Sequence, residues 1–231
     1  MKVEIWSDMI CPFCYIGKRQ FEKALQTFAH QDEVEISWRS FQLDPGFRYE
    51  PGKTIHQVLA DKKGLTVDQA KQLNQRVTDS AKELALIYDL DNAVPANTFH
   101  AHRLSHLAAA FNLQNEMEER LFRAYFSEGK NIGDIDTLFQ LGVEIGLPES
   151  EVREMLETNS YGEQVNQDSQ EARELGIRGV PFFVIDEKYA VSGAQPAALF
   201  NEALQTAWKD SQSQPGVKNE GAETCSINGS C

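Results

Sequence analysis

The sequence lacks any uninterrupted apolar run of about 18 residues, so it predicts no transmembrane helix. Its opening, MKVEIWSDMI, has neither the apolar core of about seven residues nor the small-residue cleavage site of a signal peptide. The simplest prediction is a cytoplasmic protein. Positive charge is also scarce, because 22 lysines and arginines stand against 35 aspartates and glutamates, a formal net charge of -13. Nucleic acid and anionic membranes repel such a chain, so neither is expected as a partner.

Cysteine is also scarce, and the positions of the cysteines are informative. The four cysteines form two close pairs, Cys11 with Cys14 in the motif CPFC and Cys225 with Cys231 in a polar tail. Two thiols separated by two residues, where a strand leads into a helix, can open and close a small disulfide ring. In a cytoplasmic protein, paired cysteines are more often catalytic than structural. The first pair therefore indicates redox chemistry.

A structural zinc site is the alternative for any C-x-x-C motif. A second motif of the same spacing would favour zinc, but the tail pair is C-x5-C. His102 and His106 are four residues apart, as zinc ligands on a helix sometimes are, yet the segment is not H-E-x-x-H and no third ligand is evident. These histidines and His100 are predicted to be solvated or to cap helices. Redox chemistry is favoured, and no metal site is predicted.

The hydrophobic pattern predicts two groups of strands separated by helices. Strands are expected at residues 3–6 and 34–39, around a helix that Pro12 opens and that runs to about residue 28 on an apolar stripe including Phe13. Residues 54–176 show only helical patterns, about six helices, one opened by a Thr66–Gln69 capping box and continuing to Tyr88. Strands return at 180–185 and 189–193, followed by a helix from Pro196 to Trp208. A 231-residue chain in this order can bury a sizeable core.

This order resembles the thioredoxin fold with a helical insertion, and more specifically the DsbA-like thiol oxidoreductases of the cytoplasmic FrnE type. Three segments that span nearly the whole chain carry the resemblance: SDMICPFC (7–14), NTFHAHRL (97–104) and GIRGVPFF (176–183). The fold class it implies is α/β, a thioredoxin-like fold with a large all-helical insertion. Residues 1–50 and 177–208 would form the thioredoxin-like domain, 51–176 the inserted helical domain, and 209–231 a flexible cysteine-containing tail.

The resemblance also implies roles for individual residues. Cys11 would be the attacking cysteine, since a helix N-terminus stabilises a thiolate, and Cys14 would resolve the mixed disulfide. Pro181 would be a cis proline beside the cysteine pair, with Val180 lining the same substrate surface. The tail pair resembles the second cysteine motif of some FrnE-type proteins and would act as a second redox pair.

The expected partners are thiol- or disulfide-containing proteins, with glutathione or another low-molecular-weight thiol as a further candidate. No cofactor is expected beyond the redox-active cysteines. Two rival functions stay open at this stage. Kappa-class glutathione transferases and hydroxychromene-carboxylate isomerases are similar along the helical block, but they use a serine near the position of Cys11. The other rival is a non-catalytic zinc-binding protein.

Overall fold

The computed structural model describes residues 1–213, and its sheet has four strands in the order β2-β1-β3-β4. The strands are β1 (Lys2–Ser7), β2 (Glu35–Ser40), β3 (Phe182–Ile185) and β4 (Tyr189–Ser192). β1 runs parallel to β2 and antiparallel to β3, which pairs with β4 in a hairpin. The predicted α/β, thioredoxin-like fold with a helical insertion is confirmed.

Within residues 1–213, nine α-helices surround this sheet, and seven of them lie between β2 and β3. The helices are α1 (Pro12–Leu25), α2 (Ile55–Lys63), α3 (Val67–Lys82), α4 (Phe99–Ala110), α5 (Gln114–Phe126), α6 (Ile135–Glu144), α7 (Glu149–Glu157), α8 (Gly162–Glu174) and α9 (Ala197–Ser213). Several start where the sequence predicts: Pro12 is the first residue of α1, and the Thr66–Gln69 capping box is formed at α3.

Three helix ends differ from the prediction. α1 ends at Leu25 instead of near residue 28, because the N–H groups of the next residues bond in tight turns, Thr27 to the Ala24 carbonyl and Phe28 to the Leu25 carbonyl. α3 stops at Lys82 instead of continuing to Tyr88, because Ala85 takes a left-handed conformation (φ 58°) and the Leu86 N–H closes back on the Ala81 carbonyl. The apolar spacing continues past this point because Leu86 and Tyr88 are also buried, although they lie in a loop. α9 runs to Ser213, so residues 209–213 belong to the helix and not to the predicted tail.

The sheet is covered on both faces. On one face Val3, Ile5 and Phe183 share a continuous core with α1, α9 and the helices of the insertion. On the other face Trp6 packs against Ala172 of α8 and against Ile177. Since the insertion and the sheet share one core, the helical block holds the ends of β1 and α1 rigidly.

A buried ionic network fastens α8 to the sheet. The Asp168 carboxylate accepts hydrogen bonds from the Ser40 backbone N–H (2.7 Å) and Arg39 (3.1 Å), and lies 2.9 Å from His106 Nε2. Burial alone would raise the pKa of Asp168, but the hydrogen bonds from His106 and Ser40 outweigh it and keep this pKa below its usual value. Asp168 is therefore a fully partnered structural charge.

Candidate active site

The junction of β1 and α1 places the two cysteines of the CPFC motif. Cys11 is the N-cap of α1, with extended backbone angles (φ -86°, ψ 112°), and its N–H donates to the Asp8 carbonyl at 2.9 Å. Pro12 follows at the first helical position, where a missing N–H costs nothing. Cys14 lies one turn inward, and its N–H donates to the Cys11 carbonyl at 3.0 Å. Both side chains are free thiols.

The two thiols occupy different environments. Cys11 borders the exposed Phe13, whereas Cys14 is only 1% exposed. Burial, and then the hydrogen bond and charge of Cys11, raise the pKa of the Cys14 thiol well above its ordinary value. The Ser7 hydroxyl and the Asp8 backbone N–H oppose this rise, because both favour a Cys14 thiolate. Both thiols are buried, Cys11 with 5% of its surface exposed, so the two differ mainly in position: Cys11 caps the N-terminus of α1, and Cys14 lies one turn inward with a raised pKa.

The loop before β3 completes the site from the far end of the chain. The Val180–Pro181 peptide bond is cis, as predicted, and the Val180 carbonyl accepts a contact from Cys11 Sγ at 3.5 Å. Pro181 is buried against α1 at Gly17, where an added Cβ would stand 2.8 Å from Pro181 Cγ. The sequence analysis missed Gly17, although a glycine inside a helix is a signal of close packing.

A surface groove starts at this loop. It encloses about 410 Å³ and is lined by residues of the segment 176–182 together with Ser192 and Gly193. The lining includes the exposed Arg178 and both Val180 and Pro181. Val180 therefore belongs both to the groove and to the contact with Cys11.

Phe13, between the two cysteines, departs from the sequence prediction. It was expected on the buried stripe of α1 with Ile16 and Phe21, but it is 48% exposed. Leu43, whose backbone N–H donates to Asp8 at 2.8 Å, is also exposed, at 46%. Large apolar side chains that stay in solvent beside a reactive group are typical of contact surfaces. The rim of the site is thus apolar.

Tyr88 supports the motif from the helical insertion. Its hydroxyl donates to the Pro12 carbonyl at 2.7 Å, and its ring stacks on Phe126 with centroids 4.5 Å apart. Tyr15, on α1, stacks in turn on Phe122 at 4.9 Å. These aromatic contacts tie the active-site turn to the insertion, and spacing along the sequence could not reveal them.

The predictions for two of the three histidines on α4 were wrong. His102 is 2% exposed and faces the buried Asp8, with Nε2 3.6 Å from Oδ1, while His106 is bonded to Asp168. Neither is solvated or caps a helix, because α4 runs through the interior. His100 is half-buried and lies 2.8 Å from Arg103. Within residues 1–213, no three histidine, cysteine or acidic side chains converge as metal ligands would.

Comparison with known proteins agrees with this geometry. The model of the DSBA-like thioredoxin domain family matches residues 2–205. The chain belongs to this family. The crystal structure of a probable DsbA oxidoreductase from Streptomyces coelicolor is 39% identical, with a TM-score of 0.88 over 99% of this chain and 97% of that one. The predicted class of enzyme, a DsbA-like thiol–disulfide oxidoreductase, is confirmed.

Two further comparisons concern a relative in sequence and a likeness in fold. An uncharacterised protein of Bacillus subtilis (strain 168), YwbO, is 31% identical over 211 residues, which are 90% of this chain and 97% of the relative. A 2-hydroxychromene-2-carboxylate isomerase is 16% identical with a TM-score of 0.66, over 92% of this chain and 98% of that one. The second likeness shows the fold alone. None of the helices in residues 1–213 combines the length and apolar character needed to cross a membrane.

Proposed function

We propose that this DsbA-like protein exchanges disulfides with protein substrates through Cys11 and Cys14. One observation carries the proposal: the free thiol of Cys11, at the N-cap of α1, touches the carbonyl of Val180 beside cis Pro181, with the free thiol of Cys14 one turn inward. Cys11 lies at the positive end of the α1 helix dipole, and the thiolate of such a cysteine is the species that attacks disulfides.

The two cysteines account for all the bonds and electrons of the exchange on the enzyme side. The Cys11 thiolate attacks a substrate disulfide, one substrate sulfur leaves as a thiolate, and a Cys11–substrate disulfide forms. Cys14 then attacks Cys11 Sγ, which forms the Cys11–Cys14 disulfide and releases the second substrate thiolate. The substrate gains two electrons and the enzyme loses two. The reverse sequence oxidises a substrate dithiol, and the direction follows the potential of the pair against that of its surroundings.

The surface around Cys11 supports proteins as substrates. Phe13 and Leu43 supply an apolar rim, and the groove at Val180 and Pro181 accepts an extended chain. Arg178, exposed in the same groove, offers a cation to a carboxylate, which supports glutathione as the low-molecular-weight thiol. No cofactor beyond the cysteines enters this scheme. The FrnE branch and a cytoplasmic location stay predictions of the sequence.

Reduction of insulin by the full-length chain tests the proposed function. With glutathione as reductant, the protein is expected to accelerate insulin precipitation, and the free Cys11 and Cys14 thiols should convert to a disulfide during turnover. Parallel assays should measure glutathione conjugation, hydroxychromene-carboxylate isomerisation and bound zinc. Activity in either enzyme assay without insulin reduction, or stoichiometric zinc that blocks both thiols, would contradict the proposal in favour of the corresponding rival.

We further propose that Cys225 and Cys231 form a second redox pair that exchanges with the first. Both lie outside the described residues, and the support is sequence: the pair follows a polar segment beyond any core-forming stretch. A flexible coil of about seventeen residues spans on the order of 20–25 Å, which would carry thiols across a small domain. Because α9 continues to Ser213, the connection to Cys225 is shorter than this prediction assumes.

A double variant, Cys225→Ser with Cys231→Ser, tests this relay in the full-length chain. The tether would hold the tail thiols at an effective concentration in the millimolar range near the first pair. Their removal should therefore lower turnover in insulin reduction severalfold. The control is Ser226→Ala with Ser230→Ala, which changes the same tail but keeps both thiols. Equal turnover of the variant and the wild type, with no trappable cross-link from Cys11 to either tail cysteine, would end the relay proposal.

A further inference from the structure

A cluster of unpartnered polar atoms lies beneath the active site. Among residues 1–213, four buried side-chain atoms make no hydrogen bond: Ser7 Oγ, Asp8 Oδ1, His102 Nε2 and Glu118 Oε2. Each such atom costs about 1–3 kcal/mol when it is left unpaired. All four belong to one region, because Ser7 precedes Asp8 in the chain, Asp8 faces His102, and Glu118 is bonded to Ser105 on the same helix as His102. Four unpaired atoms in one place need an explanation.

This cluster adjoins Cys14. The Ser7 hydroxyl lies against the Cys14 sulfur without a hydrogen bond of normal geometry, and the Asp8 backbone N–H also favours a thiolate there. Asp8 Oδ2 is occupied by the Leu43 N–H at 2.8 Å, which leaves Oδ1 facing His102 Nε2 across 3.6 Å. This separation is too long for a hydrogen bond but close enough for the two groups to hold one proton after a small movement.

A second histidine–aspartate pair, whose histidine also lies on α4, gives the contrast. One turn along α4, His106 lies 2.9 Å from Asp168, which also accepts bonds from Ser40 and Arg39. Neither His106 nor Asp168 has a buried side-chain atom without a hydrogen bond. A buried histidine and aspartate can therefore be fully satisfied in this fold, and the open pair is the one beside the reacting thiol.

We propose that Asp8 and His102 take up the proton that Cys14 must lose before it attacks the mixed disulfide. The inference rests on the proposed function and assigns a residue pair to its second step. The Cys14 S–H proton passes to the pair, and the Cys14 thiolate attacks Cys11 Sγ. The Cys11–Cys14 bond forms as the Cys11–substrate bond breaks, and the substrate thiolate takes a proton from solvent. When the enzyme disulfide is reduced again, the pair returns its proton to Cys14.

The burial of Cys14 explains why this step needs a partner. Burial raises the pKa of the Cys14 thiol and keeps solvent away, so the attacking thiolate is scarce. Other titratable groups near the pair lie on α1, α4 and α5; on α4, His106 acts on Glu118. On α5 lie Glu118, bonded to Ser105 at 2.7 Å, and Tyr125, which feels the charge of Asp8. On α1, Lys18 is bound to Glu119 at 2.8 Å and also acts on Glu118. Asp8 and His102 exchange a proton with the Cys14 sulfur and form no bond to the substrate.

Stopped-flow reaction with 5,5′-dithiobis(2-nitrobenzoate) separates the two steps. Attack by Cys11 releases one coloured thiolate, and resolution by Cys14 releases a second. All proteins should be full-length with Cys225 and Cys231 replaced by serine, so that only Cys11 and Cys14 can react with the reagent. His102→Gln and Asp8→Asn are expected to slow the second release about tenfold or more near pH 6. The deficit should shrink towards pH 9, and the first release should be unchanged.

His106→Gln is the matched control on the same helix. It should lower thermal stability without changing the pH profile of either release. An unchanged second release in both His102→Gln and Asp8→Asn, or an equal slowing in His106→Gln, would overturn the proposal. Loss of the first release in the reference protein would instead contradict the proposed function.

NMR titration of the histidine rings in the wild-type protein provides a test that needs no variant. The titration midpoint of His102 should differ between the oxidised and reduced forms, while that of His106 should stay the same. Identical His102 titration in both redox states would also overturn the proposal.

Discussion

Replacing Cys11 with serine is expected to lower insulin reduction by about 10³-fold or more, as loss of a nucleophile does in other enzymes. Cys11 is the thiol at the helix N-cap that contacts Val180, so no other group in residues 1–213 stands in the same position. Cys14→Ser should still attack substrate through Cys11 but stall as a mixed disulfide. Turnover, followed by insulin precipitation, should fall in both variants, while a covalent adduct should accumulate only in Cys14→Ser.

Alkylation of the reduced wild-type protein provides the control for these roles. Iodoacetamide near pH 6 should modify Cys11 well before Cys14, because burial raises the pKa of Cys14 and leaves little of its reactive thiolate. Serine is close to cysteine in size, so thermal unfolding should confirm that both variants fold. Equal alkylation rates at the two thiols would remove the basis for assigning Cys11 as the attacking residue.

Gly17→Ala is expected to cost about tenfold in insulin turnover. In an open helix this change stabilises by about 1 kcal/mol. Here the new Cβ would stand 2.8 Å from Pro181 Cγ and 3.5 Å from Phe183 Cζ, so the proline must move. Displacement of a group that positions substrate lowers the rate even when the chemistry is intact. Insulin turnover and thermal unfolding together measure the effect.

Gly46→Ala is the matched control for this substitution. Its Cβ would meet only Asp44 Oδ1, at 3.9 Å, so its stability should stay within about 0.5 kcal/mol of the wild type and its turnover unchanged. If Gly17→Ala proves as active as the wild type and gains the stability of an ordinary helical alanine, then Pro181 does not need its place against α1.

The parts of the site that depend on local sequence could be predicted. Cys11 and Cys14 follow a strand and open a helix, and Pro12 marks the first helical position, so the CPFC motif was placed correctly. The cis bond at Val180–Pro181 was also predicted, from resemblance to a family and not from the residues alone. The order of elements along the chain, βαβ, a helical block and ββα, was also predicted.

Contacts between distant segments could not be predicted in this way. Tyr88 has the spacing of a helical residue, but it lies in a loop and bonds to Pro12, 76 residues away. His102 and His106 were predicted to be solvated or to cap helices because polar side chains usually lie at the surface. Their positions depend on partners, Asp8 for His102 and Asp168 for His106, that only the folded chain brings together.

Phe13 shows the opposite error. Hydrophobic periodicity along α1 correctly predicts that Ile16 and Phe21 are buried, and it assigns Phe13 to the same stripe. The side chain instead stays in solvent beside Cys11. Periodicity measures how well a residue fits the core and carries no information about residues kept exposed to meet a substrate.

Peptide mapping of the adduct formed by Cys14→Ser with a disulfide substrate tests the central claim most directly. The full-length variant should be mixed with insulin, quenched by acid and digested without reductant, and the bridged residue identified by mass spectrometry. The account predicts one mixed disulfide, joining Cys11 to an insulin cysteine. Absence of any adduct, or an adduct confined to Cys225 or Cys231 with Cys11 still free, would contradict it.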